Sequence, residues 1–113
     1  MWLLGGRRAL RKRTRLSASD RKLAALGARL AAEQPALAHE LARYVEQRIP
    51  QGDHLSAAQL ATRARRTLLR AERHRREIDR GEVVIVDGWL LSRSEVAVCA
   101  YLHRLDTRAS GMA

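Results

Sequence analysis

The chain has no phenylalanine, and aromatics make up only 4% of its 113 residues. A stacking platform for single-stranded nucleic acid needs several spaced rings, so that binding mode has no basis here. Cys99 is the only cysteine, which excludes an intramolecular disulfide and gives no sign of an oxidising compartment. No apolar run approaches the roughly 20 residues that a membrane span needs. The sequence also lacks a glycine-rich phosphate loop, a Cys/His metal-ligand spacing and a nucleophile motif. These absences remove the best-marked classes of enzyme and metalloprotein. They leave no catalytic residue, cofactor or metal to assign, and the expectation is a non-enzymatic protein.

What is abundant is positive charge. Lys and Arg number 22 against 12 Asp and Glu, giving a net charge of +10. Such a surface attracts polyanions, whether nucleic acid, anionic lipid or an acidic protein face. The apolar fraction is ordinary but rich in Ala and Leu, so intrinsic propensity leans helical. The length suits one domain with a modest core.

Residues 1–16 read as a basic, flexible arm. Trp2-Leu3-Leu4 is too short for a signal-peptide apolar region, and the basic cluster from Arg7 to Arg15 follows it. No export signal is read, so the expectation is a cytoplasmic protein, with export as the open alternative. The arm itself suits phosphates or lipid headgroups at a membrane surface. Residues 17–106 read as one helical domain with a β-hairpin, and residues 107–113 as a loose tail.

Four helices are predicted. The first starts near Ser17, with Leu23, Leu26 and Leu30 at helical spacing and Gly27 allowing close approach. The second spans Pro35 to Ile49, with Leu37, Leu41, Val45 and Ile49 as its stripe. The turn Pro50-Gln51-Gly52-Asp53 ends it. The third opens on a Ser56/Gln59 capping box with a Leu55/Leu60 staple and continues to Arg80, with Gly81 as terminator. Its narrow seam is Leu60, Ala61, Ala64, Leu68, Ala71 and Ile78. Beyond Glu72 it has little to bury and projects into solvent. The fourth, Arg93 to Leu105, is apolar over a wide arc and is the most buried.

A hairpin over residues 83–91 precedes the last helix. Val83-Val84-Ile85-Val86 and Trp89-Leu90-Leu91 flank Asp87-Gly88, a pair that suits the two positive-φ positions of a type I′ turn. Ser92 and Glu95 form a second capping box, with Leu91 and Val96 as its staple. The fold class is therefore mainly α, a small four-helix domain with one hairpin.

Residues with chemical potential are few. Cys99 and His103, four apart, share a helix face, but nothing supplies a third orienting group for a thiolate. Cys99 sits among apolar neighbours and reads as a buried thiol. His39 and His54 lie outside metal-ligand spacing. Glu82 and Asp87 flank a strand with no carboxylate opposite.

Two binding readings remain. In the first, an acidic protein partner contacts the hairpin. Both hairpin faces are apolar, and an isolated two-stranded ribbon cannot cover both. Trp89, read at the hairpin's open end, Leu91 and Arg93 frame the contact patch. Trp89 has the rival reading of a core residue. In the second, Arg63, Arg66, Arg70, Arg73 and Arg76 bind a polyanion such as nucleic acid. A recognition helix followed by a hairpin is the order of a winged helix. Against it, Thr62 to Arg76 has no turn residue where a second helix would break away. The hairpin tip also carries acidic Asp87 where a wing would carry Lys or Arg. Any such binding is expected to be indifferent to sequence, because base readout has no apparatus.

Val86-Asp87-Gly88-Trp89-Leu90-Leu91-Ser92-Arg93-Ser94-Glu95 resembles a C-terminal motif of small bacterial proteins, several of which carry a twin-arginine export signal. The likeness extends over about 20 residues, roughly a fifth of the chain. It implies no activity and no catalytic residue, only a small accessory protein that works with a larger one. This chain lacks the apolar segment that would follow Arg7-Arg8 in an export signal.

Overall fold

The computed structural model describes residues 15–50 and 54–111. The predicted arm up to residue 14 and the Gln51-Gly52-Asp53 turn lie outside them. Leu16, placed in the arm by the sequence reading, is buried against the core instead.

Five helices, not four, are present among the described residues. The order is α1 (Ala18–Glu33), α2 (Pro35–Arg48), α3 (Ala57–Leu68), α4 (Ala71–Asp79), β1 (Val83–Val86), β2 (Trp89–Ser92) and α5 (Arg93–Gly111). The helical class and the hairpin before the last helix follow the sequence expectation. The extra helix arises because the predicted third helix breaks at Leu69 and Arg70.

That break has no glycine or proline behind it. Leu69 takes φ −89° and ψ 75°, and the Arg70 N–H reaches back to the Leu68 carbonyl at 3.1 Å. This is an inverse γ-turn. Its cause is tertiary. The bend lets Glu77 of α4 accept from the Ser94 N–H at 2.7 Å and the Ser94 hydroxyl at 2.6 Å, while His74 lies 3.3 Å from Glu95. A straight helix would carry both side chains away from α5, so tertiary contacts override local propensity. The buried seam accordingly stops at Leu68. Ala71 is exposed, and Ile78 is 38% exposed.

The last helix is the hub, because α1, α2 and α3 all pack on it. Val96, Tyr101 and Leu102 are fully buried along it. Gly27 of α1 makes the tightest approach: a β-carbon there would meet the Cys99 carbonyl oxygen at 2.0 Å. Two buried or half-buried ion pairs add crossings. Asp20 of α1 meets Arg65 of α3 at 3.2 Å, and Glu46 of α2 meets Arg104 of α5 at 2.6 Å. Arg108 lies 3.8 Å from Glu46, and α5 runs on to Gly111 where a loose tail from Thr107 was expected.

The local start and stop signals behave as predicted. Ser17 accepts from the Asp20 N–H, and Ser56 with Gln59 closes a full capping box. Ser92 and Glu95 exchange the same pair of bonds at 2.9 and 3.3 Å. Gly81, at φ 71°, ends α4, with the Glu82 N–H on the Glu77 carbonyl and the Gly81 N–H on that of Ile78. That pairing is a Schellman motif. Asp87 and Gly88 take φ 51° and 81°, as a type I′ turn requires.

Candidate functional site

The hairpin register pairs Val83 with Ser92, Val84 with Leu91, Ile85 with Leu90 and Val86 with Trp89. Cross-strand partners share a face, and faces alternate along each strand. Val84, Val86 and Leu91 therefore turn toward the helices, and Val86 is buried there. Ile85 and Leu90 form the opposite face, and no element among the described residues covers them. They are 65% and 58% exposed, and Trp89 is 64% exposed.

Trp89 belongs by alternation to the inward face, but the helices that cover Val86 leave it open. It sits beside the turn, at the closed end of the hairpin and not the open end. The core reading for Trp89 does not hold. Ile85 and Leu90 on one face and Trp89 on the other leave the tip apolar on both sides, and they are the most exposed large apolar side chains among the described residues. The tip's only acid is held by α1: Arg29 reaches Asp87 at 3.2 Å.

The three residues expected to frame a contact patch are thus separated. Trp89 is at the tip. Leu91 is half-buried against the core. Arg93 stands at the far end of β2, about 13 Å from Trp89 at the strand rise. There it lies over the Tyr44 ring of α2 at 5.8 Å, and Arg48 lies over the same ring at 3.4 Å. Sequence reasoning missed Ile85 and Leu90 as surface residues. Period-two alternation separates Ile85 from Val84 and Val86, but both faces are apolar and the sequence marks neither as outward.

The arginines named for polyanion binding also divide. Arg63 and Arg66 are exposed on α3, and Arg70 is exposed at the bend. Arg73 is half-buried and Arg76 exposed on α4, a helix with no buried residue. Arg73, Arg76 and Arg80 follow i, i+3 and i+7 spacing and so share one face. Glu77, on the same helix as these arginines, is committed to Ser94. Arg65, between Arg63 and Arg66, is turned inward to Asp20.

Cys99 and His103 do share a face, pressed against Gly27. Burial pushes the Cys99 thiol up from 9.0 to about 12, and the Glu95 carboxylate adds to the effect. Such a thiol is a poor nucleophile at neutral pH. Among the described residues no group of three or more His, Cys, Asp or Glu side chains could hold a metal ion, and no helix is long and apolar enough to cross a membrane. His39 is engaged by Arg104 at 2.8 Å.

No family model, no curated protein and no solved structure matches this chain.

Proposed function

We propose that the protein is a small, basic, non-enzymatic accessory or assembly protein that docks on an acidic protein partner through its hairpin tip. The observation that carries this is the exposure of Ile85, Leu90 and Trp89 at the hairpin tip, on both of its faces. Large apolar side chains grouped in the open at one tip of a charge-rich chain mark a contact site. Tryptophan is also a preferred interface anchor, since it buries much area and keeps an N–H donor. The net charge of +10 selects an acidic partner and speeds encounter with it.

The test is affinity capture with nuclease present, at low and high salt, comparing the native chain with Trp89→Ser/Leu90→Ser. The expected result is a discrete acidic protein that survives nuclease and high salt and is lost in the variant. The variant should keep its unfolding midpoint, because both side chains are exposed. Capture that vanishes with nuclease, or that the variant retains, overturns this reading.

One observation favours a second reading, a nucleic-acid-binding protein. The bend at Leu69–Arg70 supplies the break between two helices that a helix-turn-helix needs. The resulting order of α3, bend, arginine-rich α4 and hairpin resembles a winged helix. The uncovered apolar hairpin tip argues for the protein partner over this alternative, since a wing that tracks phosphates carries positive charge.

A further inference from the structure

We infer that the outer edge of β1 pairs antiparallel with the same edge of a second copy of this chain, giving one sheet that runs across a two-fold axis at Val84. The hairpin register fixes which backbone groups that edge offers. The Arg93 N–H donates to the Glu82 carbonyl at 3.1 Å, so Glu82 and Arg93 are a hydrogen-bonded pair. Bonded and non-bonded pairs alternate along an antiparallel ladder. Val84–Leu91 and Val86–Trp89 are therefore bonded pairs, and Val83–Ser92 and Ile85–Leu90 are not. The N–H and C=O groups of Val83 and Ile85 point away from β2. No described residue hydrogen-bonds to them, and Ile85 is 65% exposed.

The β2 edge offers less, because Glu95 takes the Ser92 N–H at 2.9 Å and leaves only Leu90 facing outward. The β1 edge is also unguarded. Edge strands are commonly protected by a lysine, a proline or a bulge. Val83-Val84-Ile85-Val86 carries no charge and no proline, and it pairs with β2 residue for residue. The edge fits itself in one register. Val83 opposite Ile85 of the second copy, and Ile85 opposite its Val83, satisfies every outward N–H and C=O of these residues in both copies. A register centred on Val83 would set Ile85 against Gly81, and one centred on Ile85 would set Val83 against Asp87. Gly81 and Asp87 have φ of 71° and 51°, which is not strand geometry and cannot continue a ladder.

Local charge suits a second copy. In this register the Asp87 end of each β1 faces the Arg80–Gly81 end of the other, so acid meets base at both ends and the strands between are neutral. The net charge of +10 repels two chains at longer range, and salt screens that term. Self-association therefore strengthens as salt rises. The shared strand is short, so the dimer is weak, with a Kd of roughly 0.1–1 mM. Ile85 gains cover from Val83 of the second copy, because cross-strand partners share a face. Trp89 and Leu90 lie on β2 and stay open, so the pairing does not compete with docking at the tip and does not rest on it.

The test is sedimentation equilibrium of the full chain up to millimolar concentration at low and high salt, with NMR on a mixture of labelled and unlabelled chains. The expected result is a concentration-dependent dimer and amide protection at Val83 and Ile85 that rises with concentration. An intermolecular Hα–Hα contact should join Val84 to its copy, since a non-bonded pair brings its α-carbons closest. Ile85→Pro removes an N–H that the hairpin ladder does not use, so it should abolish the dimer and leave the hairpin folded. Ile85→Lys keeps the N–H and sets like charges diagonally across the axis, which should weaken the dimer about tenfold or more. Leu90→Lys puts the same charge on the same face away from the edge and should stay within about twofold of the native chain. A chain that remains monomeric at millimolar concentration overturns the pairing. So does a dimer that Ile85→Pro and Ile85→Lys leave intact, a contact in another register, or pairing of β1 with residues 1–14 of its own chain. Trp89→Ser/Leu90→Ser should leave self-association unchanged, so failure of the docking reading is distinguishable from failure of this one.

Discussion

Gly27 lies directly against the main chain at Cys99: a β-carbon at position 27 would stand 2.0 Å from the Cys99 carbonyl oxygen and 2.6 Å from its carbon. Backbone cannot yield as a flexible side chain can. Gly27→Ala should therefore push α1 off α5 and cost about 3 kcal/mol, the upper end of overpacking penalties. Urea unfolding measures this. A midpoint equal to that of the native chain would show that the two helices do not meet this closely.

Gly88 gives a contrasting case, because nothing lies within 4 Å of a β-carbon there and the constraint is its φ of 81°. Gly88→Ala should cost only about 1 kcal/mol, through backbone strain alone. Gly88→Asn should recover part of that, since asparagine tolerates the left-handed region. If the Ala variant lost as much as Gly27→Ala, the turn would carry packing that the structure does not show.

The α4 helix is held by polar contacts. It buries no residue, and Glu77 ties it to the start of α5 through both the N–H and the hydroxyl of Ser94. Glu77→Ala removes a cap and should destabilise by about 1 kcal/mol. Hydrogen exchange should rise selectively in α4, while Glu72→Ala on the same helix should leave exchange unchanged. Uniform acceleration across the whole chain would mean α4 is not a separately opening unit.

This latch also explains what the sequence revealed and what it withheld. Ser56 with Gln59, Ser92 with Glu95, Gly81 and Asp87-Gly88 act within a few residues of themselves, and each was legible. Gly27 was legible as a close approach, though not its partner. The bend at Leu69–Arg70 was not. Both are good helix formers, and the bend exists because of contacts 17 residues apart in the chain. The candidate surface was half legible for the same reason. Trp89 was recognised as an anchor. Ile85 and Leu90 were hidden by a run of apolar residues that names neither face. The pairing of Arg93 and Arg48 on Tyr44 required α2 and α5 to be placed first.

Cys99 sets a pH dependence. Its thiol is pushed from 9.0 to about 12 by burial, so the folded chain holds the proton where the unfolded chain releases it. Above pH 9 the unfolded state binds fewer protons, and stability falls as pH rises. The contribution is complete below pH 9 and is lost progressively toward pH 12. Cys99→Ala should flatten this part of the stability curve. Thiol reagents at pH 8 should modify the native protein only as fast as it opens, and fast stoichiometric labelling would show the thiol is accessible.

The α3–α4 arginines predict how the chain treats DNA. Arg63, Arg66, Arg70 and Arg76 are exposed and Arg73 is half-buried, so the proposal that they meet phosphates without reading base edges can be tested directly. Duplex affinity should fall steeply with salt and differ little between sequences. Arg73→Gln/Arg76→Gln should reduce the salt slope by about 2, close to one phosphate contact each. A preference for one sequence that persists at high salt would promote the regulator reading over the accessory one.

Trp89 offers the most direct test of the hairpin surface. At 64% exposed, its indole is bathed in water in the free protein. In a Trp2→Leu background it is the only tryptophan, so emission reports this position alone. The free protein should emit at long wavelength and be quenched efficiently by acrylamide. Addition of the captured partner should shift emission to the blue and protect the ring from quenching, as burial in an interface demands. Ile85→Thr should weaken that shift by removing apolar area from the same tip, with little change in stability, since Ile85 is 65% exposed. Emission already blue and unquenched in the free protein would place Trp89 inside the fold, and the docking surface would then lose its anchor.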